Sequence, residues 1–410
     1  MPETPPPGAE PLDPVPAPRV LLAGGGTAGH VNPLLATAAA LREPALGGRE
    51  ETGILVLGTA EGLEADLVPE AGFDMAVVPR VPMPRRPTGD LFMLPRRLSR
   101  AVGAAAEAIE AVDAQVVVGF GGYVSTPAYL AARRAGVPVV IHEQNARPGL
   151  ANRLGASWAA AVALTFASTP LRSSKGRTEV TGLPLRPAIG ELVARLAEPD
   201  GAAAARRSGA AALGLDPRAP TVLITGGSLG AQRLNEVLAA ALPSLSPDLQ
   251  VLHLTGRDKD GPVRAAVEAA VADGAAADLA ERYHVLDYLV AMEQAYACAD
   301  GVICRSGAGT VAELTALGLP ALYVPLPIGN GEQRLNAADV VAAGGGRLVA
   351  DARLTAADVV DFTALLTRPA ERGAMAAAAA STGVRDGARR LADLIRTVAR
   401  EGSPSPRRKA

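Results

Sequence analysis

His30 closes a glycine-rich run, Gly24-Gly25-Gly26-Thr27-Ala28-Gly29-His30, where an imidazole would lie beside whatever the run holds. An unperturbed imidazole titrates near neutrality, so general-base chemistry is open to it; capping or packing is the plainer use. The run satisfies G-x-G-x-x-G between an apolar strand and a helical segment. In that setting backbone N–H groups and a helix N-terminus can meet a phosphate. A dinucleotide fold would place an acid at the end of the second strand, about 20 residues on, to hold a ribose. Here that strand ends Leu57-Gly58-Thr59 and the nearest acid, Glu61, lies past the turn. The dinucleotide reading is weakened, and a tight turn without ligand stays open.

Two further loops have the same make-up. Gly226-Gly227-Ser228-Leu229-Gly230 offers backbone donors and a hydroxyl. Cys304-Arg305-Ser306-Gly307-Ala308-Gly309-Thr310-Val311-Ala312-Glu313 follows a strand and enters a helix, so it can hold another phosphate oxygen. Glu313 can accept from sugar hydroxyls, yet Thr310-x-x-Glu313 also fits a capping box, which taken alone is the favoured reading. His142-Glu143-Gln144-Asn145 ends a strand at the edge where open α/β sheets bind ligands. Gly329-Asn330-Gly331-Glu332-Gln333-Arg334-Leu335-Asn336 supplies amides able to meet a polyol, although such residues in turns often serve the backbone.

These loops need strands and helices behind them. The β-rich runs are Val20–Ala23, Ile54–Leu57, Met75–Val78, Gln115–Gly119 and Val137–His142. A second series comprises Val222–Thr225, Gln250–Leu254, Tyr283–Leu286, Gly301–Cys304, Ala321–Val324 and Arg347–Val349. Between them lie segments of helical period: Asn32–Leu41, Leu98–Ala111, Leu234–Leu242 and Val311–Leu317. Alternation of this kind predicts parallel sheets covered on both faces. Val20-Leu-Leu-Ala-Gly-Gly-Gly26 and Val222-Leu-Ile-Thr-Gly-Gly-Ser228 share a register, which predicts an α/β chain of two Rossmann-like domains. The expected division is a disordered leader at 1–18, a first domain at 19–184, a second at 185–396 and a flexible tail at 397–410. The last helix is expected to be able to pack back on the first domain. Pro184–Pro187 suits a hinge, and Gly190–Leu213 is read as including an inserted surface loop.

With 49% apolar and 20% charged residues, the chain can bury a core and is not disordered throughout. A net charge of −2 argues against a general nucleic-acid binder. Two cysteines, Cys298 and Cys304, exclude a disulfide scaffold, and the cysteines and histidines show no zinc-ligand spacing. No segment reads as a membrane span or signal peptide. Arg80 to Arg100 mixes six arginines with large apolar residues and one acid, which suits either an anionic lipid surface or a solvated helix with an ordinary buried face.

In combination the motifs resemble the MurG family of bacterial glycosyltransferases. The resemblance runs from about Val20 to Arg396 and is carried by Gly25–His30, Glu64-Ala-Asp-Leu-Val-Pro69, Gly121-Gly-Tyr-Val-Ser125, His142–Asn145, Gly226–Ser228, Cys304–Ala308 and Gln333. It implies the two-domain GT-B fold, with domains facing across a cleft. It also implies inverting transfer of N-acetylglucosamine from UDP-N-acetylglucosamine to the undecaprenyl-linked muramyl-pentapeptide acceptor, at the cytoplasmic face of the membrane. The implied donor contacts are Thr27, Ala28, Gly29, Asn145, Arg186, Ser228, Leu289 (against uracil), Ala308, Gly309, Thr310, Val311, Ala312, Glu313 and Gln333. His30 becomes the candidate base. Docking on an anionic membrane surface would fall to Arg85, Arg86, Leu91, Phe92, Leu94, Arg96 and Arg97. Other wall-synthesis proteins are partner candidates. No Asp-x-Asp pair closes a strand, so no metal or other cofactor is expected. A UDP-N-acetylglucosamine 2-epimerase of similar fold is the alternative. Ala28 stands where many members have glycine, Leu229 where glutamine is usual, and Glu332 where some have a second glutamine.

Overall fold

The computed structural model describes residues 17–81, 93–227, 232–274 and 277–402. Arg85, Arg86, Leu91, Phe92 and Ser228, most of the expected leader and the end of the expected tail lie outside them.

Seven parallel strands form the first sheet: β1 (Arg19–Ala23), β2 (Gly53–Gly58), β3 (Asp74–Val77), β4 (Val116–Gly119), β5 (Val139–Glu143), β6 (Ala161–Leu164) and β7 (Arg177–Val180). Their spatial order is β3-β2-β1-β4-β5-β6-β7. The second sheet holds β8 (Thr221–Thr225), β9 (Gln250–Leu254), β10 (Tyr283–Leu286), β11 (Gly301–Cys304), β12 (Ala321–Tyr323) and β13 (Gly346–Leu348), also parallel, in the order β10-β9-β8-β11-β12-β13. Each order reverses beside its first strand, at β1/β4 and β8/β11. Such a switch point opens a crevice at the carboxyl edge, where the glycine-rich loops leave the sheet.

Period-2 alternation explains the covering of both faces of the first sheet. Leu21, Ala23 and Val117 pack with the helices Leu94–Ala111 and Ser125–Ala135. Val20, Leu22, Val116 and Val118 pack with the helix Ala28–Arg42 and with the last helix, Gly387–Gly402. That last helix presents Leu391, Leu394, Ile395 and Val398, an i, i+3, i+4, i+7 stripe, to the first sheet. Each such side chain stabilises by about 1.5–3 kcal/mol when fully buried. The buried Arg396 head adds a bond to Leu46 O at 3.1 Å. The chain therefore passes between the two sheets twice, once after β7 and once before the last helix.

All eleven expected strands form, within two residues at either end. Two were missed. β6 is Ala-Val-Ala-Leu, too alanine-rich to stand out, and β7 is Arg-Thr-Glu-Val, a polar edge strand. The stretch Gly190–Leu213 is not a surface loop: it lies in two helices, Pro187–Leu196 and Gly201–Leu213, parted near Asp200 at φ 60°. Gly209 shows why the second helix fits. A Cβ there would lie 2.6 Å from Gln294 O on the neighbouring helix Met292–Cys298, so the two helices approach backbone to backbone. Helix continues to Gly402 and takes in the first six residues of the expected tail.

Candidate active site

A cleft of about 630 Å³ runs between the carboxyl edges of the two sheets. Thr27, Ala28, Gly29, His30, Gln144 and Asn145 line one wall. Gly226, Gly227, Leu289, Ala308, Gly309, Thr310, Glu313 and Gln333 line the other, and Arg186 stands where the chain crosses. These residues come from stretches up to 306 positions apart, yet the fold brings them to one cavity. Val311 and Ala312 are the exceptions: both are buried in the apolar core behind the helix Ala308–Leu317.

The backbone selects a tautomer of the His30 imidazole. Its Nδ1 lies 3.1 Å from Gly25 O, an oxygen that can only accept, so Nδ1 carries the proton and Nε2 keeps its lone pair. Burial lowers the pKa of His30 below its ordinary value, against the raising effects of the Gly25 bond and the Glu64 charge. The ring is therefore neutral at pH 7.

The His142–Asn145 stretch divides its labour. His142 is fully buried, donates from Nε2 to Gly182 O at 3.0 Å and accepts at Nδ1 from Gln144 Nε2; burial depresses its pKa to about 4. Glu143 accepts from Asn145 N–H (3.0 Å), Gly149 N–H (3.0 Å) and Asn152 Nδ2 (2.9 Å), and burial raises its pKa. A carboxylate so occupied is a fastening for the loop, and a poor candidate for a base. Asn145 reaches the cleft. Its Oδ1 accepts from Asn336 Nδ2 at 3.2 Å, and its side chain also bonds the Glu143 carboxylate. Asn336 also accepts from Ala146 N–H at 2.8 Å and donates to Ser306 O at 3.2 Å, so one buried amide fastens the two halves together. The motif named Asn336 among amides able to meet a polyol; only the fold reveals it as the clasp.

Glu313 does not cap its helix. The N-cap is Gly307, without any side-chain cap bond. Instead its carboxylate takes Arg186 Nε at 2.8 Å, Arg186 Nη2 at 3.1 Å and Tyr296 Oη at 3.1 Å. Burial works against the Arg186 charge, but the Glu313 carboxylate outweighs it and raises the arginine pKa. Tyr296 was not singled out from sequence, because a lone tyrosine carries no spacing signal. Gln333, in the cleft lining, accepts from Leu326 N–H at 2.9 Å through Oε1. Glu332, at the departure noted above, accepts from Asn330 N–H at 3.1 Å and so closes its own loop.

Among the membrane candidates, Leu94 is half-buried and Arg96 and Arg97 are exposed at the start of the helix Leu94–Ala111. Among the described residues no helix is long and apolar enough to cross a membrane, and no cluster of three or more His, Cys, Asp or Glu side chains could hold a metal.

Residues 20–164 match the glycosyltransferase family 28 N-terminal domain, and residues 221–391 the glycosyltransferase family 28 C-terminal domain. Curated relatives named UDP-N-acetylglucosamine--N-acetylmuramyl-(pentapeptide) pyrophosphoryl-undecaprenol N-acetylglucosamine transferase include one from Bifidobacterium adolescentis. It is 48% identical over 92% of this chain and 96% of the relative. One from a Nocardioides species is 50% identical over 92% and 97%. The crystal structure of Acinetobacter baumannii MurG superposes with a TM-score of 0.71 at 27% identity, covering 93% of this chain and 99% of that one. A UDP-GlcNAc 2-epimerase from Neisseria meningitidis superposes at 0.59 with 16% identity over 92% and 99%, a likeness of fold alone. With near-full-length relatives at half identity and both family 28 domains in order, the chain belongs to the MurG family of glycosyltransferases.

Proposed function

We propose that this chain transfers N-acetylglucosamine from UDP-N-acetylglucosamine to the muramyl 4-hydroxyl of undecaprenyl-pyrophosphoryl-muramyl-pentapeptide, the reaction its curated relatives are named for. The observation that carries the mechanism is the shared cleft, with a neutral imidazole on one wall and loop and helix N–H donors on the other. The acceptor oxygen attacks the anomeric carbon opposite the diphosphate. As the new C–O bond forms, the bond from that carbon to the phosphate oxygen breaks with its electrons, configuration inverts, and UDP leaves. The hydroxyl proton passes to His30 Nε2. N–H groups at the start of the helix Ala308–Leu317 and in the Gly226–Gly227 turn, with Ser228, meet the charge growing on the diphosphate. Thr27, Ala28 and Gly29 face the same region from the first wall. The NH2 of Gln333 donates to a sugar hydroxyl, Asn145 meets the donor from the first wall, Glu313 accepts from the ribose, and Leu289 lies against uracil. Arg186 holds Glu313 in place, while Val311 and Ala312 act from the core as the helix's anchor. Replacing His30 with Ala should lower turnover by about 10²–10⁴ while UDP affinity holds. An equal loss of affinity would make His30 a loop-positioning residue instead. Product analysis with donor alone separates this reading from an epimerase, which needs no acceptor.

The acceptor's polyprenyl chain keeps it in the bilayer, so this reading sets the enzyme on the cytoplasmic membrane surface. The Arg80–Arg100 stretch, with Arg85, Arg86, Leu91, Phe92, Leu94, Arg96 and Arg97, belongs to the half whose cleft wall carries His30. Basic and apolar side chains together suit an anionic surface, each arginine there contributing about 1 kcal/mol.

A further inference from the structure

We propose that Glu64 is the carboxylate behind the His30 base, acting on the imidazole through the peptide group between Gly25 and Gly26. This rests on the reading of His30 as base. The geometry is continuous. Glu64 is fully buried, and its Oε2 accepts the Gly26 N–H at 2.8 Å. The carbonyl of that same peptide, Gly25 O, accepts Nδ1–H of His30 at 3.1 Å. The other carboxylate oxygen is held by the Thr59 N–H at 2.9 Å and the Thr59 hydroxyl at 2.7 Å, so its orientation is fixed. Although burial works to raise the Glu64 pKa, these donors outweigh it and hold the pKa below the ordinary value. The group is therefore charged at pH 7.

An anion accepting from an amide N–H draws charge onto the carbonyl oxygen of the same peptide, strengthening that oxygen as an acceptor. A stronger acceptor at Nδ1–H fixes the tautomer and makes Nε2 more basic, the service that a directly bonded carboxylate gives a catalytic histidine. Here one peptide group stands between acid and imidazole. The glycines are what allow it. A Cβ on Gly25 would lie 2.3 Å from Glu64 Oε1, and Gly26 sits at φ 83° in the left-handed region. The other groups around the ring are neutral: the Thr27 hydroxyl, 3.1 Å from Nδ1, and the Gly121–Gly122 backbone with Asn152 beyond it. Among the described residues Glu64 is the charge whose field acts on His30.

The unmodified protein supplies the first test. As His30 is titrated by NMR, the Gly26 amide proton should shift with the same midpoint as the ring, and a silent amide would overturn the relay. Glu64→Gln should then lower kcat by about 10- to 100-fold, as loss of an outer partner of a working imidazole does, with KM for UDP-N-acetylglucosamine held. The acid limb of its rate profile should move to lower pH, because the base has lost its supporting charge. In a His30→Ala background the same substitution should cost less than about twofold, since residues acting as a unit are not additive. An unmoved limb, or an undiminished cost in that background, would reduce Glu64 to a loop fastening. Full turnover by His30→Ala alone would instead remove the base reading, a result that the amide titration does not depend on. Should Glu64→Gln fail to fold, the titration of the unmodified protein still decides.

Discussion

Replacing Glu313 with Ala separates two roles that the structure superimposes on one carboxylate. Its oxygens are bonded by Arg186 and Tyr296, so removal has a structural cost whether or not any ligand binds there. The Arg186 side chain is 33% exposed, and water can take up its freed donors, so the broken ion pair costs no more than about 1 kcal/mol. Tyr296 is worse placed. Its hydroxyl lies in the core, and a buried donor stripped of its acceptor costs about 1–3 kcal/mol. The sum, about 1–4 kcal/mol, should lower the melting temperature by roughly 2–15 °C. Ribose contacts would add a second, separable loss. A carboxylate that no longer meets two hydroxyls forfeits about 1–3 kcal/mol of binding, a weakening of UDP of about 5- to 150-fold. Calorimetric titration of UDP, with thermal melts on the same samples, measures both. Tyr296→Phe serves as control, because it removes the hydroxyl without stranding it and leaves Glu313 bonded to Arg186; its UDP affinity should match the parent. If Glu313→Ala melts early but binds UDP normally, the carboxylate is a tether for Arg186 and the ribose assignment is wrong.

Three other outcomes follow from the packing and charge. His142 and His253 are buried neutral, with pKa values depressed by burial to about 4 and about 3. Their contribution is complete above the unfolded value near 6.5 and drains away as pH falls below it, costing about 2 kcal/mol each by pH 5; urea midpoints at pH 7 and pH 5 should differ accordingly. Ile395→Ala opens a cavity between the last helix and the first sheet and should cost about 2–5 kcal/mol, whereas a melting temperature within a degree of the parent would mean that the helix does not hold the halves together. Reversing Arg85, Arg86, Arg96 and Arg97 to glutamate should abolish sedimentation with anionic vesicles and activity on vesicle-borne acceptor. Activity on a short-chain soluble acceptor should survive, and unchanged vesicle binding would send the search to another surface.

What could be read from the sequence followed from how each element declares itself. Strands buried on both faces, such as Val116-Val-Val-Gly119, are continuous apolar runs and were found; β7, half exposed at its edge, has no such signature. Gly190–Leu213 misled because Glu198-Pro-Asp-Gly201 has the make-up of a loop, while Gly209 in the second helix serves a close helix–helix contact that only the partner helix reveals. Thr27–His30 and Ala308–Glu313 were legible because their loops carry unusual glycine content, whereas Arg186 and Leu289 were reached only through the family resemblance. The roles of Asn336 and Tyr296 were not legible, since a clasp or a buried hydroxyl acquires its meaning from a partner far along the chain: Asn145 for one, Glu313 for the other.

The repeated strand-and-glycine pattern shows the limit of motif reading most clearly. By sequence, Gly24–Gly29 and Gly226–Gly230 are two copies of one device, each offering N–H groups to an anion. In the fold, the first copy already has an anion: Glu64 occupies the Gly26 N–H, so at that amide the demand for negative charge is met from within. Among the described residues, the Gly227 N–H of the second copy meets a neutral oxygen, Thr225 Oγ1, at 3.4 Å, long for such a bond. A diphosphate competing for the second turn displaces a weak neutral contact; at Gly26 it would have to expel a buried carboxylate that Thr59 also holds. In the proposed mechanism the same spacing therefore serves two ends, the first loop carrying His30 and the second receiving the diphosphate. Glu64, 38 residues beyond Gly26 in the chain, is what makes the difference.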